Sequence, residues 1–378
     1  MATDGIKQDL LQKSKKRREP IPDNELLKTG STVLDIAISG RRAGGFAKGH
    51  YFWVCGDSSS GKTFLTLTCL AEASINTEFD NYRFIYDNCE DGALMDFERY
   101  FGPRMVERLE APATGKDDDG NVIPVHSTEI EDFYYNLDDA LQEAEKTKGR
   151  PFIYILDSMD ALDSKYSEKK FQAAKKAARG NKEDKEAAKG DYGDGKAKIN
   201  STRIRRVVRR LKDTGSILIV LSQTRDNIGA GLFEEHQTHA GGHALKFYAT
   251  VQLWSSVGNK IIKTVQERKI VVGVNCRVKT KKNRLTGKER VVEFPIYFDT
   301  GIDDIGGMVD FLVYWRHWPK NQAGTIEAVD FDGVKKQRDA LVAWLEENEL
   351  RKDLEEIVED AWRTIEGRLE IKRRNKYV

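Results

Sequence analysis

A chain of 378 residues can bury one large core and still carry a small appendage. Its 33% charged residues nearly cancel to a net charge of +1, which excludes overall attraction to a polyanion and leaves any nucleic-acid affinity to local patches. The lack of a long apolar run excludes a membrane span, and four scattered cysteines without a Cys-x-x-Cys pair exclude a disulfide framework, so the expected setting is cytoplasmic with reduced thiols.

Residues 1–28 read as a basic N-terminal arm. Leu10, Leu11 and the cluster Lys13 to Arg18 suit either a solvated arm or an oligomerisation helix packed on a neighbouring copy, broken at Glu19-Pro20. Thr29 to Gly40 reads as a capped helix, with Ser31 as N-cap and Gly40 as the stop. The apolar run Tyr51 to Cys55 then reads as a strand, and Phe64 to Leu70 as the start of a helix. Between them stands Gly56-Asp57-Ser58-Ser59-Ser60-Gly61-Lys62-Thr63, the spacing of a phosphate-binding loop. Its glycines let successive N–H groups point at phosphate oxygens, and the helix N-terminus adds positive potential. Lys62 is the candidate for the outer phosphates of ATP, and the Thr63 hydroxyl for Mg²⁺.

Tyr82 to Tyr86 reads as the next strand and ends in Asp87-Asn88-Cys89-Glu90-Asp91. Acids at the C-terminal end of a parallel strand sit on the ligand-binding edge of an open α/β sheet, where one can orient a water against a γ-phosphate. Phe152 to Asp157 reads as a buried strand closing on an acid that suits Mg²⁺. Residues 165–192 form a lysine-rich insert, read as a solvated helix or a disordered segment. After it, Ile204, Val207, Val208 and Leu211 recur at helical spacing, while Arg205, Arg206, Arg209 and Arg210 occupy other faces. No acid interrupts Lys196 to Lys212, so these arginines are expected to lack carboxylate partners and to meet phosphate.

Ser216 to Leu221 reads as a strand ending at Ser222-Gln223, and residues 224–242 as a long functional loop. His236 and His239 within it lack the company of a metal site. Thr250 to Ser255, Val271 to Lys279 and Val291 to Phe298 read as strands, with a basic turn between the last two. The remainder, residues 311–378, reads as a small C-terminal domain with Trp315, Trp318 and Trp344 as core anchors.

With these motifs in place, the chain resembles the RecA recombinase family, including its phage UvsX-like branch. The most specific stretch is Ala240-Gly241-Gly242-His243-Ala244-Leu245-Lys246-Phe247-Tyr248-Ala249, similar to the segment that closes the family's second DNA-binding loop. The resemblance implies an α/β fold: a RecA-like P-loop ATPase core over residues 29–310 with a mostly parallel central sheet, a short N-terminal arm and a small α/β C-terminal domain. It implies that Glu90 activates the attacking water, with Asp87 or Asp91 as fallback. It further implies that Gly56, Asp57, Ser58, Ser59, Ser60, Gly61, Lys62, Thr63, Phe64 and Phe97 bind ATP, with Phe97 on the adenine. Thr63 and Asp157 would hold Mg²⁺, and Gln223 would sense the γ-phosphate. Lys282 and Arg284 would reach across a subunit interface to the neighbour's nucleotide.

For DNA the resemblance implies Lys198 and Arg205 near a first loop, and Arg225, Asn227, Ile228, Phe233, Gly241, Gly242 and His243 in a second. The implied function is an ATP-dependent recombinase that forms helical homo-oligomeric filaments on single-stranded DNA and pairs it with duplex DNA. The alternative is a RecA-core ATPase that is not a recombinase, such as a ring helicase or a regulatory filament protein. A P-loop kinase is a third reading, and it leaves the long loop and the arginine helix without a use. The family departures are the lysine-rich insert, His243 in place of the usual Asn, and a basic C-terminal tail.

Overall fold

The structure is a computed structural model that describes residues 21–178, 195–226, 237–239, 243–371, 373 and 376. Its centre is a ten-stranded sheet. In chain order the strands are β1 (Tyr51–Gly56), β2 (Arg83–Asn88), β3 (Leu109–Glu110), β4 (Phe152–Asp157), β5 (Ile217–Asp226), β6 (Gln237–His239), β7 (Val251–Val265), β8 (Arg268–Asn283), β9 (Val291–Tyr297) and β10 (Gly301–Ile302). Their spatial order is β10-β9-β8-β7-β1-β5-β4-β2-β3, with β6 paired to β5. From β7 to β3 every neighbour pair is parallel, whereas β7 to β10 form an antiparallel flank. The expected α/β architecture with a mostly parallel sheet is present.

Alternation along β1 explains the layering. Phe52 and Val54 belong to one buried cluster, Tyr51, Trp53 and Cys55 to the other, because successive side chains of a strand point to opposite faces. The first face is covered by α1 (Thr32–Ser39) and α2 (Lys62–Ser74). The second is covered by α3 (Ile130–Ala144) and α5 (Gly195–Thr214), which bury Phe133, Leu137, Ile204, Val207 and Leu211. Between these two helices in the chain comes α4 (Lys165–Ala178), whose Tyr166 and Phe171 are exposed; it accounts for the first half of the insert. The rest of the insert lies outside the described residues.

Helix α6 (His243–Tyr248) leads into β7, and α7 (Asp304–Tyr314) follows β10. The C-terminal part adds a hairpin of Thr325–Ala328 with Val334–Gln337, then α8 (Arg338–Glu347) and α9 (Arg351–Leu369). Leu341, Leu345, Leu354, Val358 and Trp362 join the same apolar cluster as Leu65 and Leu70 of α2. Ion pairs reinforce this seam: Lys28 to Glu355 at 2.9 Å, Arg42 to Glu356 at 2.6 Å and Lys288 to Glu366 at 2.6 Å. Among the described residues no helix is long and apolar enough to cross a membrane.

Three local expectations need correction. Ser31 precedes α1 but makes no side-chain cap; the Thr32 N–H is met by Asp304 Oδ1 at 2.6 Å instead. Of the three tryptophans expected to anchor the core, Trp318 is fully buried and Trp344 packs at its edge, whereas Trp315 is 47% exposed. The strands expected over Thr250–Ser255 and Val271–Lys279 are longer and join as one hairpin, turning at Gln266-Glu267 with φ 47° and 63°. Most of its outer half is exposed on both faces, so the polar–apolar alternation that marks a half-buried strand is missing there.

Trp53 is the side chain on which the parallel core can be tested. It is fully buried on β1, and its indole Nε1 donates to Ser222 Oγ on β5 at 2.9 Å. Trp53→Ala should cost about 3–5 kcal/mol in chemical denaturation. Trp53→Phe keeps most of the volume but strips Ser222 of its donor, and should cost about 1–3 kcal/mol.

Candidate active site

The phosphate loop owes its shape to what surrounds it. At Gly56 a Cβ would lie 2.2 Å from the Ser255 carbonyl oxygen, so only glycine lets β1 leave the sheet here. Ser59 (φ 60°) and Gly61 (φ 81°) take left-handed backbone, and Gly61 opens α2. Ser255 Oγ anchors the curl by donating to the Ser60 carbonyl at 2.6 Å. Within it Lys62 Nζ donates to the carbonyls of Gly56 at 3.0 Å and Asp57 at 2.6 Å. Burial draws the pKa of this amine down, against the pull of Asp157, Glu90 and Asp57. An ammonium held this way can exchange carbonyls for phosphate oxygens with little rearrangement.

Parallel register delivers the partners. Gly56 pairs with Gln223, and Asn88 with Asp157, so the ends of β1, β5, β2 and β4 share one edge. There Thr63 Oγ1 donates to Asp157 Oδ2 at 2.7 Å, and Tyr86 OH donates to the same oxygen at 3.1 Å. Burial raises the Asp157 pKa, and the hydrogen bonds from Thr63 and Tyr86 oppose it. Among the described residues no group of three or more His, Cys, Asp or Glu could hold a metal by itself. One hydroxyl beside one carboxylate is instead the hard-oxygen set that fits Mg²⁺, which keeps its waters and takes phosphate oxygens.

Glu90 is brought into the same place. Its N–H donates to the Asp157 carbonyl at 3.2 Å, and its Oε1 accepts from Gln223 Nε2 at 3.2 Å and from the Ser158 hydroxyl. Asp91 is exposed with φ 48°. Asp87, the other fallback base, is fully buried and faces inward. Its carboxylate accepts from the Ser127 N–H at 2.9 Å, Ser127 Oγ at 2.6 Å and Tyr154 OH at 2.7 Å. A carboxylate so buried and already taken up by three donors is closed off from a substrate water.

Aromatic side chains line the mouth of the loop. Phe97 is half-buried with its ring edge-on to Tyr86 (6.1 Å) and Phe101 (5.9 Å), and Phe64 packs 5.0 Å from Phe101. A wall not anticipated from sequence closes against them. Tyr100 OH donates to the Phe298 carbonyl at 2.5 Å, and a Cβ on Gly301 would lie 2.6 Å from the Phe64 ring. The exposed Phe298 before Asp299-Thr300-Gly301 was the available signal, an aromatic followed by a turn at a strand end.

Lys282 and Arg284 lie elsewhere. Asn283 pairs with Val251, which pairs with Phe52, so they sit at the far end of β1, roughly 13 Å of strand from Gly56. Lys282 Nζ donates to the carbonyls of Lys246 (2.6 Å) and Phe247 (2.7 Å), and Arg284 also donates to Phe247 at 2.7 Å. Burial, Arg284 and Lys246 push the Lys282 pKa down to about 8. The two cations thus clasp the C-terminus of α6, away from the phosphate loop of their own chain.

The residues expected to meet DNA divide three ways. Lys198 and Arg205 are exposed on α5, and His243 is exposed at the start of α6. Arg225 lies on β5 beside Thr238 of β6, with only its backbone described. Asn227, Ile228, Phe233, Gly241 and Gly242 lie outside the described residues, as does His236. One expectation about α5 is overturned: Arg210 is not without carboxylates. It donates to Glu145 at 2.6 and 2.9 Å and also pairs with Asp138, both on or beside α3. These acids are about seventy positions away in sequence, which is why the acid-free run concealed them.

Asp87 generates a test of its own. Burial alone would raise its pKa, but the nearby His126 ring and the hydrogen bonds from Ser127 and Tyr154 outweigh that and hold it below the usual aspartate value. Its stabilising contribution is therefore complete above that ordinary value and lost as pH falls through the lowered one. Asp87→Asn should destabilise the fold at neutral pH by about 1–3 kcal/mol. The gap to wild type in urea titrations should narrow on acidification; a gap independent of pH would contradict the assignment.

Residues 176–303 match a family model described as the RecA N-terminal domain, about a third of the chain. The match runs from the last turn of α4 through β10 and takes in α5, Gln223, Lys282 and Arg284, while the phosphate loop lies before it. Taken with the parallel strand order and the loop at the end of β1, the match supports a RecA family protein, with the similarity itself confined to residues 176–303.

Proposed function

We propose that this protein is an ATP-dependent DNA recombinase that polymerises on single-stranded DNA as a helical filament and carries out homologous pairing and strand exchange. The observation that carries the reading is the convergence of Lys62, Thr63, Asp157, Glu90 and Gln223 at one sheet edge, with Gln223 directly preceding the 224–242 segment. The match of residues 176–303 to the RecA N-terminal domain supports ATP, Mg²⁺ and single-stranded DNA as partners.

In this reading Lys62 and the N–H groups from Ser58 to Thr63 hold the phosphates, and Phe97 packs on the base. Thr63 and Asp157 would hold Mg²⁺, which supplies charge neutralisation at the β- and γ-phosphates. Glu90 takes the proton from the attacking water, and its contact with Gln223 links that event to the segment behind it. Lys282 and Arg284 serve the neighbour's nucleotide, in keeping with their distance from their own loop; such a trans cation makes ATP a bond between protomers. Lys198, Arg205 and Arg225 contact the phosphate backbone. Asn227, Ile228, Phe233, Gly241, Gly242 and His243 complete the strand's path.

Measuring ATP hydrolysis with and without long, unstructured single-stranded DNA tests the reading. Stimulation of tenfold or so, lost at high salt, is expected, since phosphate contacts release counterions. Glu90→Gln should abolish turnover while nucleotide still binds. Hydrolysis indifferent to DNA would favour a regulatory filament protein, and closed particles of fixed subunit number in electron micrographs would favour a ring helicase. For the DNA path itself, Arg225→Ala should weaken binding and lower the slope of log affinity against log salt by about 1. An unchanged slope would move the strand off this residue.

A further inference from the structure

Consecutive residues at the end of β5 grip the phosphate site from two sides. Gln223 Nε2 reaches Glu90, whereas the Thr224 hydroxyl donates to Asp57 Oδ1, as strand alternation requires of neighbouring side chains. Asp57 is the second residue of the phosphate loop. Its carbonyl accepts Lys62 Nζ at 2.6 Å and the Ser60 N–H at 3.3 Å. Thr224 in turn forms the first rung of the β5–β6 ladder, opposite His239, followed by Arg225 with Thr238 and Asp226 with Gln237. One hydrogen bond therefore joins the phosphate loop to the ladder.

Folding stability is a poor account of this bond. Asp57 is exposed, and water would solvate its carboxylate well without Thr224. Its geometric consequence is larger. A carboxylate beside a phosphate-binding loop is repelled by the anion the loop takes up, and the repulsion acts on whatever holds that carboxylate. A hydroxyl donating to a carboxylate is among the stronger and shorter hydrogen bonds, so a shift of Asp57 is passed on to Thr224 instead of being absorbed.

We infer that Thr224 is a positioning residue that transmits occupancy of the phosphate loop to the β5–β6 ladder through the Asp57 carboxylate, in parallel with Gln223. The inference rests on the proposed nucleotide site and does not require that the ligand of the ladder be DNA.

Hydrogen exchange of the full chain, followed at the β5 and β6 amides with and without Mg·ATP, reads the effect directly. In the wild type, nucleotide should change the exchange of these amides by about fivefold or more. Thr224→Val, which keeps the shape and loses the hydroxyl, should abolish that change. Its affinity for a fluorescent ATP analogue should stay within about twofold of wild type, since Thr224 lies outside the phosphate loop and Asp57 keeps its backbone contacts with Lys62 and Ser60 without it. Thr224→Ser should restore the response. A Val variant that responds like wild type, or Val and Ser variants that fail alike, would overturn the role of the hydroxyl. Failure of the wild type to bind the analogue would overturn the nucleotide reading and this inference together; binding with unresponsive ladder amides would overturn the inference alone.

Discussion

Parallel pairing of β1 with β5 and β7 is the constraint on which the rest of the structure depends. It sets Gly56 level with Gln223 and Ser255, so the backbone that leaves β1 must curl under Ser255 and emerge as α2. The same direction of travel in β2 and β4 brings Glu90 and Asp157 to that edge. A shift of one residue in any of these pairs would turn a chemical group to the opposite face of the sheet. The full burial of β1, β4 and most of β5 is what makes the register so well determined.

On this frame the site is a network of shared acceptors. Asp157 Oδ2 takes two hydroxyls, and Glu90 Oε1 takes Ser158 and Gln223. An acceptor shared between elements from different strands makes a movement of one felt by the others. Asp87 has the opposite character: it stands beside the site in sequence yet is buried and turned to Ser127, ahead of α3, and Tyr154 of β4. Two acids three positions apart thus do different work because one faces solvent and the other the core.

Charge is arranged with the same economy. A chain of net charge +1 presents Arg205, Arg206 and Arg209 outward on α5, while Arg210 on the same helix is taken up by α3's acids. The acids of α9 are spent on Lys28, Arg42 and Lys288, which presses the C-terminal helices onto the core where Trp362 and Val358 are already buried. Apolar packing holds that seam; the ion pairs, at intermediate exposure, chiefly set its register.

The loop Gly56–Thr63, the strand ending at Asp157, the acidic cluster from Asp87 to Asp91 and the helix through Ile204 and Leu211 were legible in the sequence, because each is written in contiguous residues whose spacing follows from backbone geometry; Glu90 was singled out from its cluster only by the family resemblance. Long-range partners were not. Arg210 with Glu145, Thr32 with Asp304, Thr224 with Asp57 and the wall from Phe298 to Gly301 against Phe64 join positions far apart in the chain, and no local period encodes them. The extent of the β7–β8 hairpin was hidden for a related reason: its outer half rests on no core, so nothing imposes the alternation that would announce it. The sequence by itself determined which residues could do phosphate chemistry; the tertiary structure decided which of them meet, because only the sheet's register and the packing on its two faces fix their separations.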